Sequence, residues 1–219
     1  MYFRVKAAVV LLFGLLPLSA LAEGDQMGVN ASAVRDLPPL AFDIIRDFEG
    51  WSEGAVDDPE NFCIIGYGHL IAQKPCSEVP KLVAKYPKVL SWEDGKKLLE
   101  SDTIAARMAV SRLISPTLSE NQFGALVAFV FNVGSHNLER SRMRSLLNDE
   151  EFVLAAKEFP KWVKIHGRIV DILVNRRLCE QDLFLDQLTP PFDRADCAPF
   201  GASPPSDELI DIVTGNLTK

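Results

Sequence analysis

The spacing of apolar positions changes several times along the chain, and each change predicts an element. Ala41, Ile44, Ile45 and Phe48 stand at i, i+3, i+4 and i+7. That is one stripe of a short amphipathic helix, with Glu49 half buried just off it beside a glycine exit at Gly50. Asp58-Pro59 then opens a turn. From Cys63 to Tyr67 the residues read as a short β-branched strand interrupted by Gly66 and followed by Gly68, where another backbone or a ligand can come close. Leu70 to Pro87 carries Pro75, Pro80 and Pro87 and predicts an irregular crossing with one helical turn around Val79 to Tyr86. Ser91 starts a helix whose apolar residues Leu98, Leu99, Ile104, Met108 and Leu113 predict one long element ending before Pro116. Ser119 starts another. Its segment Phe123 to Phe131 is apolar on most faces and stops at Gly134, which places it in the middle of a domain. Arg140 to Leu147, Glu151 to Trp162 and Ile172 to Leu185 read as three further helices, and Ser206 to Val213 as a brief one. Helices outnumber strands, so the fold class is α+β: a small sheet lobe from about residue 52 to 75, a helical lobe made from the rest, and a cleft between them.

Composition refines this picture at the two ends. A chain of 219 residues, 47% hydrophobic and 24% charged, suits one domain with a substantial core. Arg4 and Lys6 precede an apolar run from Ala7 to Leu21, and Ala20-Leu21-Ala22 offers a small-x-small cleavage site, so residues 1–22 read as a signal peptide for a secreted or periplasmic protein. The run is short for a membrane span, and no stable membrane insertion is expected after cleavage. Residues 23–39 form a flexible lead-in, and residues 187–219 a Pro-rich tail. Loss of the two basic groups takes the net charge from −7 to about −9. An acidic chain without a basic, aromatic-interleaved stripe is a poor partner for nucleic acid.

Cys63, Cys76, Cys179 and Cys197 are even in number behind a signal peptide, so two disulfides are expected. Three connectivities exist. Cys63–Cys76, closing the loop around Gly68 and His69, with Cys179–Cys197, tying the tail to the last long helix, is the favoured one. Without a paired CxxC spacing, zinc and a thiol nucleophile are disfavoured, and no metal or cofactor is expected.

The chemistry lies in Glu49 and Asp58. A carboxyl on a helix end and one on a turn can face each other across a cleft, which is the arrangement that glycosidic hydrolysis uses, one as general acid and one to activate water or steady an oxocarbenium charge. The wording of the segment sharpens this. Phe48-Glu49-Gly50, then Asp58, then Ile65-Gly66-Tyr67-Gly68-His69 resembles the phage-type lysozymes and endolysins of glycoside hydrolase family 24. Asn121-Gln122-Phe123 with Phe131-Asn132-Val133-Gly134, Glu158-Phe159-Pro160-Lys161-Trp162-Val163, and Asn175-Arg176-Arg177 with Leu183-Phe184 are similar to the same family in the same order. The resemblance spans residues 40–186 and implies a lysozyme-like fold. It also implies a monomeric muramidase acting on peptidoglycan glycan strands at the β-1,4 bond between N-acetylmuramic acid and N-acetylglucosamine.

Carried over residue by residue, Glu49 matches the family's acid and Asp58 its second carboxylate, with Asp57 as the neighbour if the turn is shifted. Where the family has a Thr whose hydroxyl holds the attacking water, this chain has Ile64, and Ser52 is the nearest hydroxyl that could substitute. Trp51 and Tyr67 are the aromatic candidates for the substrate wall, whereas Trp92 and Trp162 are expected in the core. His69 reads as a structural histidine bonded to an acidic partner. Arg177, or its neighbour Arg176, is the basic residue that the resemblance brings towards Glu49. The departure at Ile64 and the acidic charge also fit a second class, a lysozyme-fold module that binds peptidoglycan or a partner protein without cutting. Retention of both carboxyls favours the enzyme.

Overall fold

The computed structural model describes residues 34–197 and 208–218. The expected signal peptide lies outside them, as does most of the lead-in. Helix α1 (Pro39–Glu49) begins with Pro39 in the first turn, where a missing N–H costs nothing, and buries Leu40, Ala41, Ile44, Ile45 and Phe48. It ends at Gly50, whose φ of 73° lets the chain leave the helix and whose N–H donates to the Arg46 carbonyl at 3.1 Å. Strands β1 (Ser52–Asp57), β2 (Cys63–Gly66) and β3 (His69–Ala72) follow as one antiparallel sheet in sequence order. Val56 pairs with Ile64, and Ile64 in turn with Leu70. This is the small sheet lobe, and the Cys63–Cys76 disulfide ties the start of its middle strand to the turn that follows β3.

A short α2 (Pro80–Val83) leads to α3 (Trp92–Asp102) and α4 (Ile104–Leu113). These two replace the single long helix expected there. The break falls at Thr103, a fully buried β-branched residue whose hydroxyl donates to the Glu100 carbonyl at 2.8 Å. A side chain that bonds back onto the preceding turn loosens the helix at that point. Helix α5 (Glu120–Val133) opens with a complete capping box between Ser119 and Gln122 and is buried from Phe123 through Val133. It is the central helix of the core, packed against α1, α4 and α9.

The next stretch is cut more finely than periodicity suggests. Helix α6 (Ser135–Arg140) gives way to α7 (Arg142–Asn148) because Ser141 turns extended and caps the new helix, accepting from Arg144 N–H at 3.1 Å. Helix α8 (Phe152–Ala156) stops well short of Trp162. Pro160 has no N–H to continue the ladder, so the Ala156 carbonyl accepts instead from the Gln181 side chain at 2.9 Å, and Phe159–Lys161 tightens into a 3-10 turn. A two-residue hairpin, β4 (Lys164–Ile165) with β5 (Arg168–Ile169), precedes α9 (Asp171–Phe184).

The tail is tied down twice. Cys197, following a 3-10 turn over Arg194–Asp196, is bonded to Cys179 on α9, the favoured pairing. The expected brief helix at 206–213 is a strand instead: β6 (Leu209–Ile210) pairs with β7 (Leu217–Thr218). Asp211 explains the difference. Its carboxylate accepts from Val213 N–H at 2.9 Å and Gly167 N–H at 2.6 Å, a local bonding pattern that competes with helix and fastens the tail to the β4–β5 turn.

Candidate active site

Glu49, the last residue of α1, lies where the two lobes meet. From the helical side, Arg176 of α9 donates through Nη1 to Glu49 Oε1 at 2.6 Å. From the sheet side, the turn between β2 and β3 passes beside the carboxyl, and a methyl group built on Gly68 stands in van der Waals contact, 3.9 Å from Glu49 Oε2. Gly68 has a φ of 85°, so the backbone conformation there favours glycine, although a methyl group would make only ordinary contact with the carboxyl. The side chain of Glu49 is 13% exposed and that of Arg176 only 3%. Burial alone would depress the Arg176 guanidinium, but the Glu49 and Glu180 carboxylates outweigh it and raise its pKa.

Asp58 is held by its own turn. Oδ1 accepts from the N–H groups of Glu60 at 2.9 Å and Phe62 at 2.8 Å, while Asp58 N–H donates to the Phe62 carbonyl at 2.9 Å. Both side-chain bonds fall on Oδ1, and Oδ2 accepts none among the described residues. Asp57 faces elsewhere, accepting from Cys76 N–H at 2.6 Å and so anchoring the disulfide-bridged turn. The expected alternation of a strand separates the two neighbours.

Ile64 sits in the middle strand between Val56 and Leu70. These two are 38% and 39% exposed, so the row Val56–Ile64–Leu70 is an open apolar strip across the sheet. The Ser52 hydroxyl does not replace the missing one, because it donates to the Gly54 carbonyl at 2.7 Å within its own strand.

The aromatic candidates gather beside the β2–β3 turn. Tyr67 is buried, its ring centroid 4.9 Å from Trp51 and 6.1 Å from Phe42. Burial raises the Tyr67 phenol against the opposing pull of Arg46. Trp92 departs from expectation: it is 63% exposed and stacks on Trp51 at 4.2 Å with the planes 17° apart. Gly95, one turn along α3, leaves the room in which the Trp51 ring lies. Trp162 is in the core, edge-on to Phe129.

His69 occupies the structural position anticipated for it. Nδ1 meets the Asp102 carboxylate at 2.9 Å and Nε2 the Tyr86 hydroxyl at 2.9 Å, which joins β3 to α3. Of the two arginines, Arg176 and not Arg177 reaches Glu49. Successive helix residues point about 100° apart, so Arg177 turns away and meets Glu180 at 3.0 Å and Asn132 of α5 at 2.8 Å. Burial pushes the Arg177 guanidinium down to about 10. Glu180 is fully buried and also accepts from Arg176 Nε at 3.1 Å. Sequence reasoning passed over Glu180, although its i, i+4 spacing from Arg176 was a legible signal. The one gathering of potential metal ligands among the described residues is Asp57, Cys63 and Cys76, and its two sulfurs are joined to each other.

The arrangement offers one carboxyl held from the helical lobe and a second held on a turn of the sheet lobe. Comparisons with known proteins agree with this architecture. The family described as phage lysozyme matches residues 46–180. The chain is 36% identical over 153 residues to the endolysin of Bacillus phage B103, covering 68% of this chain and 54% of that protein. It therefore spans about half the length of the Bacillus phage relatives it matches. Among solved structures, an endolysin from Escherichia coli O157:H7 phage FAHEc1 superposes with a TM-score of 0.60 at 28% identity, covering 71% of this chain and 97% of the other. The muramidase domain of SpmX from Asticaccaulis excentricus does so with a TM-score of 0.58 at 28% identity, covering 71% and 99%. With more than half of its length matched in one continuous stretch that contains both carboxyls and Arg176, the chain belongs to the phage lysozyme family.

Proposed function

We propose that the chain is a monomeric muramidase, needing no cofactor, that hydrolyses the β-1,4 bond between N-acetylmuramic acid and N-acetylglucosamine in peptidoglycan outside the cytoplasm. The observation that carries this reading is Glu49, a nearly buried carboxyl at the end of α1, held by Arg176 from the helical lobe and passed by the Gly68 turn of the sheet lobe. Glu49 donates its proton to the glycosidic oxygen as the bond to the anomeric carbon breaks. Asp58, through Oδ2, steadies the positive charge on the ring or takes a proton from the incoming water. Arg176 fixes the rotamer of Glu49 so that the other oxygen, Oε2, faces the sheet lobe. Family membership and the endolysin and muramidase relatives support the same substrate. The N-terminal apolar run supports export.

A second reading rests on Ile64. The apolar strip Val56–Ile64–Leu70 offers no side-chain hydroxyl for an attacking water, which fits a module that binds glycan strands without cutting. Muropeptide release from purified sacculi, followed by mass spectrometry, separates the two. Release of reducing N-acetylmuramic ends by the wild type and none by Glu49→Gln supports the muramidase. Binding without release by the wild type overturns it.

A further inference from the structure

Behind Glu49 lies a buried charge cluster of which the hydrolytic mechanism above uses only Arg176. Arg176, Arg177 and Glu180 are 3%, 0% and 0% exposed, and they meet at one atom, Glu180 Oε1. Asn132 closes the group from α5. The cluster is poorly saturated: Arg177 Nε and Nη1, Asn132 Nδ2 and Glu180 Oε2 have no hydrogen-bond partner among the described residues. Buried ion pairs contribute little to stability even when well satisfied, because desolvation consumes most of the Coulombic gain. Four bare polar atoms make this one worse, so stability is a poor reason for its presence. Burial accordingly raises Glu180, with Arg177 and Arg176 opposing.

Charge counting supplies a better reason. Two guanidiniums stand behind one carboxylate, and Arg176 touches Glu49 directly. Most charges on the surrounding elements are paired locally, and the excess that remains is negative: Lys161 meets two carboxylates, and Asp58 on the turn after β1 is bonded, among the described residues, only by backbone N–H groups. On α1, Arg46 bonds Asp43 and Asp47 bonds Arg194. On the sheet side His69 bonds Asp102, and on the 3-10 turn Lys161 bonds Glu158 and Glu208. On α5 the residue facing the cluster is the neutral Asn132.

We propose that Glu180 is a positioning residue for the acid: it holds the Arg176 fork against Glu49 and cancels one of the two guanidinium charges behind it, so that Glu49 retains its proton for transfer. This inference rests on the muramidase reading. The geometry fits the role, with Glu180 Oε1 3.1 Å from Arg176 Nε and Arg176 Nη1 2.6 Å from Glu49 Oε1. The two carboxylates are thus separated by one guanidinium group and held in register by it.

The test is a pair of substitutions with opposite electrostatic sign. Glu180→Gln keeps the shape and removes the negative charge, leaving two guanidiniums to favour ionised Glu49. The alkaline limb of the kcat/KM profile for sacculus hydrolysis then moves down by on the order of one pH unit, the effect of a unit charge acting across one guanidinium at an effective dielectric constant of about 20. Arg177→Met removes a positive charge from the same place and moves the limb up. The double variant lies close to wild type. Carbon-13 NMR titration of the Glu49 carboxyl in each folded protein reads the same displacements without any turnover, so loss of the muramidase reading leaves this proposal testable. If one variant does not fold, the sign of the other decides. Limbs and titration midpoints that stay in place, or that move in the same direction in both single variants, overturn the proposal.

Discussion

Replacing Ile64 by Thr restores the one hydroxyl that the apolar strip lacks, and its effect can be sized from the neighbours. Ile64 lies between Val56 and Leu70, both more than a third exposed, so it is not part of the tightly packed core. Isoleucine and threonine are both β-branched, so the strand preference is kept. The loss is a partly buried ethyl-sized increment, about 1 kcal/mol. The gain is one hydrogen bond to the water that attacks the anomeric carbon, about 1–3 kcal/mol in the transition state, or roughly ten- to a hundred-fold in rate. Initial rates of muropeptide release for wild type and Ile64→Thr, with thermal melts of both, measure the two terms separately. A variant that folds with a melting temperature within a few degrees of wild type and shows no gain in rate refutes the reasoning. In that case the attacking water is held by groups other than residue 64.

Three other outcomes follow from packing and charge. Gly95→Ala puts a methyl into the six-membered ring of Trp51, which is already sandwiched by Trp92 and Tyr67, so it lowers stability by about 1–3 kcal/mol by denaturant melt; an unchanged midpoint contradicts that packing. Asp182 is raised by burial alone, so its folded carboxyl holds the proton more tightly than the unfolded one. Its contribution is therefore intact below the unfolded pKa and lost as pH rises through the folded one, and Asp182→Asn melts at a higher temperature than wild type at neutral pH but not below about pH 3.5, under the reference carboxyl value. Converting Cys63 and Cys76 together to Ser, or Cys179 and Cys197 together, opens loops with sequence separations of 13 and 18. Each pair lowers stability by about 3 kcal/mol, and a loss under 1 kcal/mol in urea titration contradicts the loop-closure account.

Much of this molecule was legible before any coordinates, where one local signal dominated. The stripe from Ala41 to Phe48, the capping box at Ser119 and the apolar run after it each point to one element, and the structure has those elements. The expectations that failed were decided by single polar or cyclic side chains acting locally. Thr103 broke a helix that periodicity ran together, Pro160 stopped another, and Asp211 turned an apolar tail segment into a hairpin. Trp92 is expected in the core on residue type, yet it is largely exposed and stacks on Trp51, which depends on the docking of the sheet lobe against α3 and has no signature in either segment. The choice between Arg176 and Arg177 needed the rotation of α9 against α1, a tertiary fact.

The two carboxyls of the site are held by different means, and this governs how distant changes reach the chemistry. Asp58 is fixed by N–H groups two and four residues away, so its placement is a property of the turn itself and of the disulfide at the start of β2. Glu49 is fixed by Arg176, 127 positions along the chain, whose own fork is set by Glu180 and by the Ala128 carbonyl of α5. A perturbation anywhere along the contact of α5 with α9 can therefore swing the acid without touching the sheet lobe. Substitutions in the helical core should lower turnover before they unfold the protein, whereas substitutions in the 58–62 turn should act on Asp58 alone. One carboxyl is thus under the control of the large helical lobe, and the other belongs to a short self-contained turn.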